Sequence, residues 1–313
     1  MRVLLTGASS FTGFWFAREL ANAGHEVVAT FRRRPEDYDD LRRRRVAMVL
    51  DCCRGVFGCA FGGEQFLDLV RREAWDLFCH HAADATDYRS PGFDVTSALA
   101  NNTRNVAAVV AALKAGSTGC PRLIVTGSVF ENDEGAGSEE LPAFSPYGLS
   151  KSFTFQVFRY HALRAGFSVG KVVIPNPFGP FEEPRFTTYL AKTWFARQPA
   201  LVNSPAYVRD NIHASLLARV YAKFAAGLPA RPGLLRLRPS GYPESQGAFT
   251  LRFASQMRER LGLACEVRLL AQTAFPEPRV RINTDPPDAL ALGWDEASAW
   301  DELAAYYRET FAS

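Results

Sequence analysis

Met1-Arg-Val-Leu-Leu-Thr-Gly-Ala-Ser-Ser-Phe-Thr-Gly13 opens this chain of 313 residues and joins a short apolar run to a Gly/Ser turn. The run Val3-Leu-Leu5 is typical of a strand buried on both faces of a parallel sheet. Residues 13–23 then have the pattern of a helix, which Gly24 ends. We therefore predict a strand, a turn and a helix N-terminus, whose backbone N–H groups and dipole together suit a pyrophosphate.

The spacing Gly7-x-x-Ser10-x-x-Gly13 resembles the T-G-x-x-G-F-x-G loop of the extended short-chain dehydrogenases/reductases. That family contains nucleotide-sugar epimerases and dehydratases, and Ser10 stands where its middle glycine would be. The alternative is an ordinary Gly/Ser turn between a strand and a helix. The resemblance implies that the loop binds a dinucleotide through Gly7, Ser9, Ser10, Phe11, Thr12 and Gly13.

Composition indicates an ordinary globular protein, with 47% apolar and 22% charged residues and a formal charge of +3. The length allows one large α/β domain or two smaller ones. Arginines cluster at 32–34 and 42–45, but no interleaved aromatic residues suggest nucleic-acid binding. We interpret Arg42 to Arg45 as a solvated helix end.

The cysteines show no metal-ligand spacing, so we predict no metal site and free thiols in a reducing compartment. Because the sequence starts directly with a predicted strand, we expect no signal peptide, and no apolar run approaches the length of a membrane span. We therefore expect a cytoplasmic protein without a membrane partner.

Cofactor choice in a Rossmann fold is made about twenty residues beyond the phosphate loop, after the second strand, predicted here at 25–30. The chain continues Thr30-Phe-Arg32-Arg33-Arg34, without the carboxylate that would hold the ribose of NAD. Arginine matches a phosphate through charge-assisted bonds, so the sequence favours NADP over NAD. Alternatively, the arginines face solvent and the site takes NAD through Thr30.

The next two strands are predicted at Val46–Asp51 and 76–83. The family commonly places an Asp after the third strand to hold adenine, so the resemblance implies a cofactor contact at Asp51 and its neighbour Cys52. The fourth strand resembles the family's V-I-H-L-A-A segment, in which His80 takes the His position. Small side chains at Ala82 and Ala83 would let the dinucleotide approach the backbone. We assign no chemistry to His80 or to the residue after it.

Tyr147 and Lys151 are spaced i and i+4 in a helix that Ser145 is predicted to cap, so they share one face. A nearby ammonium favours the phenolate and lowers the pKa of a tyrosine, which can then exchange the proton of a sugar hydroxyl. Ser128 ends the preceding strand, predicted at 121–128. The order Ser128, Tyr147, Lys151 resembles the catalytic triad of the short-chain dehydrogenases, in which Tyr147 and Lys151 would also contact the cofactor. The alternative is a surface pair on an amphipathic helix.

Substrate contacts are implied farther along the chain, where Asn176-Pro-Phe-Gly-Pro180 resembles the family's R-x-x-N-V-Y-G-P segment with Val173 replacing its Arg. The resemblance gives Asn176 a contact with a nucleotide-sugar and the preceding Pro175 a contact with the cofactor. Arginines in the C-terminal region are candidates to hold a diphosphate, namely Arg185, Arg209 and Arg279.

Apolar runs at 3, 26, 46, 77, 122 and 171 alternate with helices and predict a doubly wound parallel sheet, a Rossmann fold, with a smaller C-terminal substrate-binding region. We place the dinucleotide-binding domain at 1–174 and the mainly substrate-binding region at 175–313. A part of the latter, about 203–226, is expected to return to the first domain. The resemblance also implies a homodimer through the helices predicted at Val95–Ala115 and Tyr147–Arg164.

The sequence therefore favours an NAD(P)-dependent oxidoreductase or epimerase that acts on a nucleotide-activated sugar. A small-molecule carbonyl reductase of the same fold and a non-catalytic NAD(P)-binding sensor are the alternatives. Dehydration is disfavoured by the resemblance, because the family's 4,6-dehydratases place an Asp-Glu pair directly after the catalytic Ser or Thr. Here Val129 and Phe130, which cannot exchange a proton, follow Ser128. The acidic residues of the next segment, Glu131, Asp133 and Glu134, are predicted to lie in a solvated loop.

Overall fold

The computed structural model describes residues 1–312 and has an α/β architecture. In chain order the strands are β1 (Arg2–Thr6), β2 (Glu26–Thr30), β3 (Arg54–Val56), β4 (Leu77–His80), β5 (Arg122–Ser128), β6 (Ser168–Ile174), β7 (Asn176–Phe178), β8 (Ala200–Val202), β9 (Val208–His213), β10 (Gly233–Leu237), β11 (Tyr242–Ser245), β12 (Val267–Leu269) and β13 (Val280–Arg281). The helices are α1 (Phe11–Asn22), α2 (Asp40–Leu50), α3 (Glu64–Arg72), α4 (Val95–Asn102), α5 (Val106–Ala115), α6 (Pro146–Arg164), α7 (Phe186–Phe195), α8 (Ala214–Gly227), α9 (Gln246–Leu261) and α10 (Glu296–Phe311).

The chain folds into two compact units, and the first contains a seven-stranded parallel sheet. The strand order is β10-β6-β5-β4-β1-β2-β3, which confirms the predicted doubly wound fold. This unit comprises Met1–Glu134, Pro142–Ile174 and Ala218–Arg238. The returning segment thus lies later than the expected 203–226, and it supplies the edge strand β10, which the sequence pattern did not reveal.

The predicted third strand at Val46–Asp51 is wrong, because these residues belong to helix α2 and its C-terminal end. Val46 and Val49 are buried at a spacing of three, and the residues that follow each of them are exposed, as on one face of a helix. The actual third strand is β3, which has three residues and includes an arginine and a glycine. Such a short edge strand leaves no period-2 apolar pattern in the sequence.

The helix predicted over Val95–Ala115 is interrupted, and the chain forms α4 and α5 instead. Asn105 precedes α5 in the left-handed region, with φ at 52°. Its Nδ2 donates a hydrogen bond to the carbonyl of Gly62, 2.8 Å away. Asparagine tolerates this conformation better than most residues, and the tertiary hydrogen bond holds the break in place.

The second unit comprises Gly135–Leu141, Pro175–Leu217 and the chain from Pro239 onward. Strand β9 pairs with β7, β11 and β13, and β8 pairs with β12. Its core packs helices α7, α9 and α10 through large apolar side chains that include Trp194, Phe253 and Trp300. The segment 176–180, which resembles a family motif, begins with the short strand β7.

Across residues 1–312, none of the helices combines the length and the apolar character that crossing a bilayer requires.

Candidate active site

The carboxyl ends of β1 and β4 form the crevice at which the strand order of the sheet reverses. Gly7 follows β1 with φ at 79°, and a Cβ atom on it would lie 2.8 Å from the amide nitrogen of Ala82. Thr6 Oγ1 accepts hydrogen bonds from the N–H groups of His81 and Ala82, both at 3.1 Å. Doubly wound sheets bind their ligands in such a crevice, and Gly7 and Ala82, both predicted cofactor contacts, lie next to each other there.

Ser10, which replaces the family's middle glycine, organises the turn that leads into α1. It caps the helix, since its Oγ accepts the N–H of Gly13 at 3.2 Å and donates to the Gly7 carbonyl at 2.8 Å. Gly13 is required at its position because a Cβ atom would collide with the Gly7 carbonyl oxygen. The departure from the family pattern at Ser10 therefore leaves the turn between β1 and α1 well formed.

His81 contacts this loop through its ring nitrogen, a role that the sequence did not reveal. Its Nε2 lies 3.0 Å from Ser10 Oγ and 3.1 Å from Thr12 Oγ1. Because the Ser10 proton points to the Gly7 carbonyl, Nε2 carries a proton and donates to Ser10. Burial, aided by the charge of Lys151, lowers the pKa of His81 to about 3, so the ring is neutral. Ser10 and His81 stand where the family has Gly and Leu, and that double departure is the sequence signal that was available.

His80, by contrast, is a core residue. Its ring stacks on Phe158 with the centroids 4.4 Å apart, and its Nδ1 lies 3.3 Å from Thr6 Oγ1. Burial holds the pKa of His80 well below its usual value.

The interpretation of residues 42–45 as a solvated helix end is wrong for Arg45, whose side chain is fully buried. Its Nη1 donates to the carbonyl of Ser9 at 3.4 Å, and its guanidinium lies 5.9 Å from the ring centroid of Phe11. The helical period of α2 turns Arg45 inward with Val46 and Val49. A buried cation thus supports the loop between β1 and α1.

Arg32 and Arg33 are exposed after β2, at the carboxyl edge of the sheet. Arg33 donates from its Nη1 to the carbonyl of Asp37 at 3.5 Å. Asp84 follows the small residues Ala82 and Ala83. Burial alone would raise its pKa, but hydrogen bonds from Thr86 and Asn101 and the charge of Arg32 lower it. Thr30 is buried, with its hydroxyl 3.5 Å from the Leu5 carbonyl.

Asp51 and Cys52 do not occupy the adenine position that the resemblance implied. Both are exposed and precede β3, in which Arg54 pairs with Val28 and Val56 with Thr30. In a parallel sheet the residues before a strand lie at the amino edge, opposite the carboxyl edge that holds Gly7. The error follows from the misplaced third strand.

The end of β5 and the first turns of α6 carry the three residues of the predicted triad. Ser128 is the last residue of β5, and Ser145 caps α6 by accepting the N–H of Gly148 at 3.0 Å. Gly148 packs so closely on Phe130 that a Cβ atom would collide with the Phe130 carbonyl. The first turn of α6, which carries Tyr147, therefore lies against the segment that follows Ser128.

Lys151 reaches from α6 to β5, where its Nζ donates to the Thr126 carbonyl at 2.6 Å. Its side chain is buried, and this burial lowers its pKa to about 8; Glu131 acts to raise the value and Lys171 to lower it. Lys151 is thus cationic at neutral pH with little solvent around it. The ring of Tyr147, one turn earlier, lies 5.4 Å from that of Tyr88.

The acidic segment after Ser128 is not a solvated loop. Glu131 and Glu134 are 0% and 1% exposed, and both form ion pairs with Lys171 of β6. Arg236 and Arg238, at the end of β10 and just beyond it, approach Glu134 as well. We call these five residues the Glu131 network.

The substrate-binding candidates lie in the second unit, and the structure places each differently. Asn176 begins β7 and is half-buried, and Arg185 immediately precedes α7 with its Nη2 4.0 Å from Glu183. Arg209 is buried and donates to the carbonyls of Pro278 and Arg279 and to Glu277. The exposed guanidinium of Arg279 lies 4.0 Å above a phenylalanine ring. Pro175 is the first residue of its segment in this unit.

Within residues 1–312 the structure contains no group of three or more His, Cys, Asp or Glu side chains that could hold a metal ion. The six cysteines are free thiols, at positions 52, 53, 59, 79, 120 and 265.

Solved structures similar to this chain come from nucleotide-sugar enzymes. UDP-glucuronic acid 4-epimerase from Bacillus cereus, in complex with UDP-glucuronic acid and NAD, has a TM-score of 0.73 at 17% identity over 99% of this chain and 100% of its own. UDP-glucose 4-epimerase from Thermotoga maritima, with UDP-glucose, has a TM-score of 0.71 at 16% identity over 99% of both chains. DesIV, a dTDP-glucose 4,6-dehydratase from Streptomyces venezuelae with NAD bound, has a TM-score of 0.71 at 20% identity over 99% of this chain and 97% of its own. At such identities the likeness establishes the fold.

A search of curated protein sequences gives no match. The sequence model of the NAD dependent epimerase/dehydratase family matches residues 3–228, which include the phosphate loop, Ser128, Tyr147 and Lys151. The match covers more than half of the 313 residues, with its first residues in β1 and its last just after α8. The chain therefore belongs to the NAD-dependent epimerase/dehydratase family.

Proposed function

We propose that the protein is an NAD(P)-dependent enzyme that epimerises a nucleotide-activated sugar or reduces a keto-sugar. One observation carries the proposal: Lys151 is buried and bonded to Thr126 of β5, while the turn of α6 that holds Tyr147 packs against the segment after Ser128. A buried lysine is costly, and its place four residues after a tyrosine on one helix face is the arrangement that proton transfer needs. The two similar epimerase structures, which hold UDP-sugars, support this substrate class.

The phosphate loop fits a dinucleotide. Gly7 and Gly13 leave no room for a side chain, and small residues follow β4 at Ala82 and Ala83. The N-terminus of α1 carries no acidic residue in its first turn, so its dipole remains available to a pyrophosphate. When bound, the nicotinamide supplies the acceptor or donor of the hydride.

Tyr147 would move the proton in this reaction. In oxidation its phenolate takes the proton of a sugar hydroxyl while the hydride leaves the same carbon, and in reduction both steps reverse. The ammonium of Lys151 favours the phenolate by its charge. Ser128 would donate a hydrogen bond to the same sugar oxygen.

Dehydration is disfavoured because the first carboxylate after Ser128 is already engaged. Glu131 uses one oxygen to accept the N–H of Ser128 and the other to pair with Lys171. A carboxylate held in this way is a poor proton carrier for the loss of water. We therefore favour oxidation or reduction at one carbinol carbon, with or without epimerisation.

The test of the proposed function is incubation with a panel of nucleotide-hexoses and nucleotide-hexuronic acids in the presence of NAD or NADP. We expect an epimer, or reduction of the 4-keto form, that depends on Tyr147. Mass spectrometry separates this outcome from dehydration, because loss of water lowers the product mass by about 18 units. A dehydrated product would overturn the assignment, and turnover only of small ketones would favour the carbonyl reductase.

The carbonyl reductase remains the second candidate because of Val173, which takes the place of the family's Arg and is fully buried in β6. This position therefore offers no cation to a nucleotide-sugar. Asn176, Arg185 and Arg279 are our remaining candidates for substrate contacts, whereas the donors of Arg209 serve backbone carbonyls and Glu277.

We also propose a homodimer formed through α4, α5 and α6. On α6, Phe153 and Tyr160 are 45% and 59% exposed and lie two turns apart on one side of the helix. Large apolar side chains exposed in this way are typical of an interface.

Replacing Arg32 and Arg33 together by Ala is expected to weaken NADP binding more than NAD binding. Both side chains are exposed after β2, where a 2′-phosphate would lie. Each charged hydrogen bond is worth roughly 1.5–3 kcal/mol, so NADP should lose about 10- to 150-fold in affinity for each bond that is broken. Titration calorimetry with both cofactors measures this difference. Arg34→Ala is the matched control, because Arg34 faces Glu36 at 3.7 Å; equal losses for NAD and NADP would remove the NADP preference.

A further inference from the structure

The Glu131 network lies next to Ser128, and its members Glu131, Glu134 and Lys171 are buried. Lys171 Nζ lies 2.5 Å from Glu131 Oε2 and 2.8 Å from Glu134 Oε1, and Arg238 Nε lies 2.9 Å from Glu134 Oε2. The charges come from three places in the first unit: the segment after β5, strand β6 and the end of β10. The ring of Phe155 from α6 covers Lys171, with its centroid 4.1 Å from Nζ.

Glu131 ties this cluster to the end of β5. Its Oε1 accepts the N–H of Ser128 at 2.7 Å, and its own N–H donates to the Ser128 carbonyl at 3.1 Å. The residue before Ser128 is a glycine for the same reason: a Cβ atom on Gly127 would lie 2.7 Å from Lys171 Cε and 2.8 Å from Glu131 Oε1. The backbone at Ser128 is therefore shaped around the Glu131–Lys171 pair.

Stability alone gives little reason for such a cluster. Replacing a buried ion pair by apolar side chains of similar size is often neutral or stabilising, because removing the charges from water is costly. The Glu131–Lys171 pair lies one turn of chain from Ser128 and acts electrostatically on Lys151. Its place in the fold thus points to the reaction centre.

Lys151 and Glu131 bind the backbone of β5 two residues apart: Lys151 Nζ donates to the Thr126 carbonyl at 2.6 Å, and Glu131 Oε1 accepts the N–H of Ser128 at 2.7 Å. The charges of Glu131 and Lys171 act on Lys151, and the charge of Lys151 in turn acts on His80 and His81. Burial holds the pKa of both histidines low, so these rings are neutral. Glu131 is then the one negative group among these neighbours.

We propose that Glu131, anchored on the Ser128 turn, is a positioning residue that holds a negative charge beside the Lys151 ammonium. This proposal rests on the proposed function for its meaning in catalysis, because it deepens the role given to Lys151. Glu131 itself touches neither substrate nor cofactor in this account. It acts through Lys151 and Ser128.

The test measures Lys151 directly. The chain contains five lysines, so selective ¹³C labelling at the lysine ε carbon gives an NMR spectrum with few signals. The signal that is missing from a Lys151→Met sample belongs to Lys151. Glu131→Gln keeps the shape and an acceptor for the Ser128 N–H but removes the charge. We expect the titration midpoint of Lys151 to fall by about one pH unit, as the loss of one neighbouring opposite charge predicts.

Glu134→Gln is the matched control, because Glu134 shares Lys171 with Glu131 while its other oxygen faces Arg238. A merely structural role would disturb both variants alike. The proposal predicts a lower Lys151 midpoint in Glu131→Gln only. An unchanged midpoint in that variant, or equal shifts in the two, would overturn it.

If Glu131→Gln does not fold, the double variant Glu131→Gln, Lys171→Met removes both charges of the pair. Glu131 acts on Lys151 more strongly than Lys171 does, so the midpoint should still fall, though by less. No fall in the double variant would again contradict the proposal. The titration needs no substrate, so failure of the sugar panel would refute the proposed function and leave this result to be judged separately.

Discussion

Tyr147→Phe is expected to lower turnover by about 10²- to 10⁴-fold, the usual contribution of a general acid or base. The substitution removes only the phenolic oxygen that we propose exchanges the proton, and the ring keeps its contacts with Tyr88 and Phe93. Cofactor affinity should therefore stay close to that of the wild type. Stopped-flow measurement of nicotinamide absorbance with the substrate found in the sugar panel gives the rate, and fluorescence titration gives the affinity.

Tyr88→Phe is the control for this variant. Its ring lies 5.4 Å from that of Tyr147, and its hydroxyl accepts a hydrogen bond from Arg89 at 3.1 Å on the protein surface. The substitution thus removes a hydroxyl from the neighbouring ring without touching the proposed proton path. Turnover of Tyr147→Phe within tenfold of the wild type would remove Tyr147 as the acid/base, whatever the behaviour of Tyr88→Phe.

Local signals explain why much of the phosphate loop and the start of α6 could be predicted from the sequence. Gly13 and the cap Ser145 act on residues close to them in the sequence, and Gly7 takes a left-handed φ of 79° that favours glycine. The turn and the helix start therefore depend largely on residues that are close in the sequence. The apolar runs of β1 and β5 are similarly local.

Contacts between distant residues explain what the sequence did not reveal. Ser10 meets His81 across 71 positions, and Glu131 meets Lys171 across 40. Each residue taken alone looks ordinary, since Glu131 lies in a segment of Asn, Asp, Glu and Gly that is typical of a solvated loop. Only the sheet, which brings β6 beside β5, supplies the cation that allows this carboxylate to be buried.

A wrong element also moves every role attached to it. Asp51 received an adenine contact because residues 46–51 were predicted as a strand, and the helix α2 leaves it at the opposite edge of the sheet. The same helix turns Arg45 inward to the phosphate loop. Periodicity in so short a segment does not distinguish a strand from a buried helix turn, and in this case the flanking arginines masked the spacing of three.

Lys151→Met is the second substitution with a large expected effect, because activity and stability should change in opposite directions. The ordinary pKa of a lysine is 10.5, and burial lowers that of Lys151 to about 8. A difference of this size corresponds to about 3 kcal/mol by which the folded state disfavours the charged side chain. Methionine fills a similar volume without a charge, and it loses one hydrogen bond to the Thr126 carbonyl, worth about 1.5–3 kcal/mol.

The pH dependence gives the sign of this effect. Below about pH 8 both the folded and the unfolded chain carry the proton, so the folded state bears the whole cost of the buried charge. As the pH rises through about 8 toward 10.5, the folded protein releases the proton first, and the wild type regains stability relative to Lys151→Met.

Urea unfolding at pH 7 and pH 10 measures the stability of the wild type and of Lys151→Met. We expect Lys151→Met to be at least as stable as the wild type at pH 7 and to lose that relative advantage at pH 10. Turnover should fall by about 10²-fold or more, since the cation that favours the Tyr147 phenolate is gone. If Lys151→Met instead loses activity only in proportion to a loss of stability at pH 7, Lys151 is a structural residue. A lysine kept for packing alone would leave the turnover of the folded enzyme unchanged when methionine replaces it.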